Sequence, residues 1–331
     1  MAESLINSIA RLRVIEKRLL TKEHIARLSA CQTYDEGLRL LREAGYGQQA
    51  EAAPQAEGDE LERMISAELS SAYELINELM PESRRDITDA FRLKHDVINI
   101  KLLYKLRLLG QELDRAELDK GGIYEEEKLK KAISTGDYSF MPKQLADELE
   151  RLDVDTYYGA DPKQVSVAID NAYAAYGRAH QNAFVKKYFK ALADFDNLLI
   201  LIRGGADGFM PEGDIKLSEL NAIGEAMRTS PERAADKIAD VFCSSPARKA
   251  ARAAYEEYLK TGSPASFEGA RDEFLIRMAS EGRQDIDSPA PIVGYMLARE
   301  REAAVVRLIL TAKRSELPSN IVKERGVELY G

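Results

Sequence analysis

Fifteen residues at 91 to 105, FRLKHDVINIKLLYK, lie on FKALADFDNLLILIR at 189 to 203 with a constant offset of 98. Phe91 falls on Phe189, Asp96 on Asp194, Asn99 on Asn197, Leu103 on Leu201 and Lys105 on Arg203. Self-similarity at a fixed period constrains a fold strongly, because one supersecondary unit must be built more than once and neighbouring copies must bury each other's apolar faces. Upstream, ELSSAYELINEL at 68 to 79 resembles AIDNAYAAYGRA at 168 to 179, and shorter units open near LLTKEHIARL (19 to 28), YEEEKLKKAI (124 to 133) and IKLSELNAIG (215 to 224). A third, weaker copy, PAPIVGYMLAREREAAVVRLILTAKR at 289 to 314, places Glu300 at the Asp position and Ala303 at the Asn position. The chain therefore divides into three helical modules of ~100 residues, at 1–112, 113–206 and 207–331.

The periodicity within each copy is helical. Leu5, Ile9, Leu12 and Ile15 step by three and four, as do Leu61, Ile65, Leu69, Ala72 and Ile76, and alternating strand-like runs are hard to find. An all-α fold of a dozen or more helices follows. Breaks are expected where Gly, Pro and small polar residues gather, at 45–59, 108–122, 203–214, 259–269 and 283–291. The stretch from Val165 to the double glycine at Gly204 and Gly205 holds one internal Gly and no Pro, and reads as one long helix.

The polar residues of the repeat decide between chemistry and architecture. Asp194 and Asp196 are two apart, roughly 200° around a helix, so they cannot share an ion without breaking it. Asp194 and Asn197 share a face, yet both are poor helix-interior residues because their side chains compete for backbone hydrogen bonds. Two roles fit them: an internal hydrogen bond linking neighbouring helices, or a polar lining at an interface. His24, His95 and His180 stand singly without ligand spacing, KTG at 260–262 has no S-x-x-K partner, and no G-x-x-x-x-G-K-[ST] occurs. No catalytic, cofactor-binding or metal residue is assigned.

A formal net charge of −9 and the lack of a basic arm argue against nucleic acid as a partner. Cys31 and Cys243 are far apart and suit neither a disulfide framework nor a zinc site, which fits the reducing cytoplasm. The longest apolar runs, such as LLILI at 198–202, fall well short of the ~20 residues that span a bilayer. Basic clusters at Arg11, Arg13, Lys17 and Arg18, and at Lys186, Lys187 and Lys190, are solvated faces or contacts for anionic lipid heads or acidic loops.

The paired D-x-x-N motifs, each followed by an apolar run and a basic residue, together with GYMLAREREAAVVRLILTAKR and the TYDEGLRLLREAGYG stretch at 33–47, resemble the C-subunit family of V-type and archaeal A-type ATPases and ATP synthases, relatives of the eukaryotic V-ATPase d-subunit. The resemblance covers the whole length. It implies three similar modules about a pseudo-threefold funnel, without catalysis or a cofactor. Such a protein sits between the central-stalk rotor subunit and the membrane proteolipid ring, peripheral on the cytoplasmic face, and passes torque during ion transport driven by ATP hydrolysis or ATP synthesis. Asp96, Asn99, Lys105, Asp194, Asn197, Arg203, Glu300 and Arg307 are then candidates for subunit interfaces. Two other readings stay open at this level: a generic all-helical scaffold or adaptor, and an all-α enzyme using Asp194 and Asp196.

Overall fold

The computed structural model describes residues 5–48, 59–157, 161–204, 208–242, 244–317, 322 and 329–330, and among them every regular element is helical. The chain is all-α. Residues 49–58 of the first expected break, Gly205 and Cys243 lie outside the described residues. The molecule comprises two compact units, Met1–Arg85 with Ile238–Gly331, and Asp86–Lys237.

The first unit opens with α1 (Leu5–Ile15), α2 (Lys22–Ala30), α3 (Tyr34–Glu43) and α4 (Glu60–Leu79). The second holds α5 (Arg85–Leu108), α6 (Glu126–Thr135), α7 (Lys143–Tyr157), α8 (Pro162–Ala179), α9 (Ala183–Ile202) and α10 (Leu217–Thr229), after which α11 (Pro231–Asp240) returns the chain to the first unit. There α12 (Ser245–Thr261), α13 (Ala265–Glu281) and α14 (Ala290–Arg314) complete it. Helix α14 is buried on nearly every side, Arg299, Arg301 and Glu302 included, as a central helix is. Val306, Ile309 and Leu310 pack with Leu28, Leu41, Leu61 and Ile65 from the N-terminal helices in one core. In the second unit Leu93 and Ile100 of α5 join Leu129, Leu145, Leu149 and Ile169. Buried Tyr104 donates to Asp153 at 2.6 Å and Tyr138 donates to the other oxygen of Asp153 at 2.8 Å, so the hydroxyls at the edge of that core are satisfied.

The expectation of one helix from Val165 to Gly205 is corrected. The stretch is a hairpin of α8 and α9, broken at residues 180–182. His180 is extended (φ −57°, ψ 147°), and its Nδ1 accepts from the Asn182 amide at 3.0 Å. Asn182 then caps α9, its Oδ1 accepting from the amides of Phe184 (2.9 Å) and Val185 (3.2 Å). An Asn cap satisfies orphan donors without a Gly or Pro to mark the break. The other breaks coincide with helix ends: α5 stops at Leu108, α9 at Ile202, and α12 at Thr261 before the left-handed Gly262.

The sequence repeat is visible in equivalent elements. Helices α2, α6 and α10 each bury their fourth residue, Ile25, Leu129 and Leu220, and their seventh, Leu28, Ala132 and Ile223. The i, i+3 spacing puts both on one face.

Candidate functional site

Asp96 and Asn99 lie one turn apart on α5 and are buried. Both hold the segment that leads into α6. The Asp96 carboxylate accepts from the amides of Ile123 (2.8 Å) and Tyr124 (3.4 Å), the two residues before the N-cap position of that helix. Asn99 pairs in both directions with residue 119: its Oδ1 accepts from the Asp119 amide and its Nδ2 donates to the Asp119 carbonyl, each at 2.8 Å. Arg92 adds donors to the carbonyls of Gly121 (3.1 Å) and Gly122 (2.5 Å).

The second copy repeats this clasp. Asp194 Oδ1 accepts from the amides of Asp214 (2.7 Å) and Ile215 (2.9 Å), again the two residues before the N-cap position, now of α10. Asn197 pairs with Met210 in both directions at 2.7 and 2.9 Å. Lys190, the equivalent of Arg92, forms an ion pair with Asp214. The helix residues match at an offset of 98, whereas the clasped residues 119, 123 and 124 match 210, 214 and 215 at 91, because the intervening loop is seven residues shorter in the second copy. Gly122 and Gly213 are equivalent on that second register, and a Cβ at either would collide with the clasping carboxylate. A short aspartate reaches backbone amides only if the backbone comes close, and glycine permits that.

In the third copy the corresponding carboxylate is Glu302 of α14, two residues beyond Glu300. It accepts from the amide of Leu20, and Leu20 precedes the N-cap residue of α2 just as Tyr124 and Ile215 precede those of α6 and α10. Each clasping helix thus holds the entry to a short helix: α5 that of α6, α9 that of α10 and α14 that of α2. Glutamate is one methylene longer, and the position equivalent to Gly122 and Gly213 is here Arg18. Val305 stands where the first two copies have Asn, so the two-way peptide pairing is absent from this clasp. Arg299 compensates: it pairs with Glu302 at 2.8 Å, reaches Glu68 at 3.4 Å and donates to the Tyr295 hydroxyl at 3.1 Å.

Burial dominates the electrostatics of all three. Desolvation pushes Asp96 and Asp194 up to about 6, against the pull of the amides they accept from, and pushes Glu302 up to about 7, against the pull of Arg299 and the Leu20 amide. All three carboxylates accept from backbone amides, and Glu302 pairs with Arg299 as well. Asp196 lies away from Asp194 on the helix, and among the described residues no three His, Cys, Asp or Glu side chains form a group that could hold a metal ion.

The remaining candidates are scattered. Lys105 and Arg203 are exposed at equivalent ends of α5 and α9. Glu300 accepts from the Tyr73 hydroxyl at 2.9 Å, and Arg307 forks onto Glu62 with bonds of 2.8 and 2.7 Å. The histidines make local contacts: His24 Nδ1 accepts from the Thr21 amide, His95 meets Asp119 at 2.9 Å and His180 meets Asp86 at 3.2 Å. Sequence reasoning missed Glu302, Gly122 and Gly213. The glycines were readable only after the seven-residue shift in register.

Comparison with known proteins matches this chain to one family. The family model described as ATP synthase (C/AC39) subunit matches residues 8–325. The C-subunit of the A-type ATP synthase of Methanocaldococcus jannaschii is 22% identical over 356 residues, covering 97% of this chain and 85% of the relative. Its counterpart in the A-type ATP synthase of Thermococcus kodakarensis is 23% identical over 341 residues, covering 95% and 88%. The C-subunit of the V-type sodium ATPase of Enterococcus hirae is 22% identical over 281 residues, covering 82% and 83%.

Proposed function

Because the chain belongs to the ATP synthase (C/AC39) subunit family, we propose that it is the non-catalytic coupling subunit of an A/V-type rotary ATPase, joining the central-stalk rotor subunit to the membrane proteolipid ring. The three clasps carry this reading. A part that transmits torque must resist shear between its modules, and each junction is fixed by a buried carboxylate on backbone amides, the charge-assisted kind of hydrogen bond. In two of the three an Asn adds a two-way peptide pairing. Three modules at 1–112, 113–206 and 207–331, disposed as a pseudo-threefold funnel, would use those junctions in series.

The enzyme reading loses its principal acid, since Asp194 is spent on the amides of Asp214 and Ile215. The polar pairs Asp96 with Asn99 and Asp194 with Asn197 then act inside the protein, and the exposed Lys105 and Arg203 are the outward members of the candidate interface set. No helix among the described residues is long and apolar enough to cross a membrane, which suits a peripheral location on the cytoplasmic face. The test is capture of the tagged protein from its own membranes in mild detergent at low salt, where charged contacts are least screened. Joint recovery of stalk and proteolipid subunits is expected; a protein recovered alone would overturn the proposal.

A further inference from the structure

The C-terminal half of α5 turns apolar residues outward. Ile98 is 53% exposed and Leu102 37%, with half-buried Leu106 beyond them, and Leu109, in the turn that continues the helix through its amide's bond to the Lys105 carbonyl, is 59% exposed. At 100° per residue these four fall within one arc of about 80°, over roughly 16 Å of helix. A contiguous apolar face on a charged, soluble surface marks an interaction site. Beside it lies a groove of about 630 Å³ between the end of α5 and residues 110–117, with Leu102, Leu106 and Ala116 in its walls.

One flank is basic. Lys94, Lys101 and Lys105 follow one edge of the stripe, Lys101 held by Asp170 at 2.7 Å. The groove on the other edge carries Glu112, Arg115 and Glu117, and Arg115 pairs with Glu112 at 2.9 Å, so that border is mixed in sign. An apolar seam with a basic border along one side is a pattern by which one helix selects and orients another.

The stripe belongs to one copy alone. At the equivalents of Ile98, Leu102 and Leu106, α9 and the turn after it have Asp196, Ile200 and Gly204, and α14 has Ala304, Leu308 and Ala312. Three like modules meeting a single partner need one that differs, or the partner has three equal seats and no fixed azimuth.

We propose that the outward face of α5 is the docking seat for one amphipathic helix of a neighbouring subunit, with a leucine-type seam and carboxylates along the edge that meets the lysines. This deepens the coupling role and rests on it. The test compares wild-type protein with L102E/L109E and K105E in capture from native membranes, and maps a photo-crosslinker placed at Ile98 by mass spectrometry. The expected result is at least a ten-fold loss of one captured subunit for L102E/L109E and a smaller loss for K105E, with both variants still folded and melting cooperatively because Leu109 and Lys105 are exposed and Leu102 lies in the open wall of the groove. The crosslink should fall in an acidic, heptad-patterned segment of that subunit. Undiminished capture by L102E/L109E, or a crosslink to lipid or to a second copy of this chain, would overturn the docking seat. If wild-type protein captures no ATPase subunit, it is the coupling role that fails.

Discussion

Asp194 sits in the middle of a helix where a residue of good propensity would cost less, and its environment explains why it is there. Its Oδ1 takes the buried amide of Ile215 and the part-buried amide of Asp214, and an unsatisfied buried amide costs on the order of 1–3 kcal/mol. Asp194→Ala should therefore destabilise the protein by roughly 2–4 kcal/mol, read as a shift of the urea midpoint with unchanged slope. Asp194→Asn keeps an accepting oxygen and removes the buried charge, so it should stay within about 1 kcal/mol of wild type at neutral pH. Equal loss in both variants would show that the charge, and not the acceptor, holds the loop. The D-x-x-N pair was legible from its spacing, because two poor helix formers on one face demand a reason. Its partners were not, because a backbone amide carries no residue-type signature. Glu302 escaped for a related reason: a longer side chain shifted two residues along α14, with Val305 in place of Asn, leaves no motif to align.

At the scale of elements, the loop from α5 to α6 and the loop from α9 to α10 are each tied twice, once to the Asn and once to the Asp of the clasping helix. The middle of each is free to vary, which is why twenty residues separate Asn99 from Asp119 and thirteen separate Asn197 from Met210. The close approach that ties them depends on glycine. Gly122→Ala and Gly213→Ala should each cost about 1–3 kcal/mol by pushing the loop off its carboxylate, and hydrogen exchange at Ile123 and Tyr124, or at Asp214 and Ile215, should speed up locally. Alanine variants with unchanged exchange there would mean that the loop accommodates the methyl by moving as a body. The turn between α8 and α9 shows a different limit of sequence reading. Its stop signal is one Asn, without Gly or Pro, inside a run of good helix formers, so the periodicity reads straight through it. Asn182→Ala should cost about 1 kcal/mol by removing the cap, checked by equilibrium unfolding.

For the whole molecule, helical class was legible because the 3.6-residue period pervades the chain, but the division into two compact units was not. The first unit joins the chain's beginning to its end, and the bond from Leu20 to Glu302 spans 282 residues of sequence. No local pattern encodes such a pairing. The three clasps together also set how stability follows pH. Asp96 and Asp194 are raised to about 6 and Glu302 to about 7, above the 3.8 and 4.5 of the unsupported groups. A carboxyl that binds its proton more tightly when folded makes folding more favourable as protons are supplied. Its contribution is present in full below the unfolded value and is lost as pH rises through the folded one. Each clasp therefore charges at a cost on the order of 2 kcal/mol between about pH 5 and pH 8. Asp119, lowered chiefly by its bond from His95, acts in the opposite sense, but below its ordinary range and so outside this window. Wild-type protein should melt several degrees higher near pH 5.5 than at pH 8. In the triple variant D96N/D194N/E302Q, which keeps an accepting oxygen at each clasp and removes the titration, that difference should shrink towards zero. Calorimetry at the two pH values decides it: an undiminished difference in the triple variant would assign the pH dependence to groups outside the clasps, whereas its disappearance would make the three junctions one titrating set spread through both units.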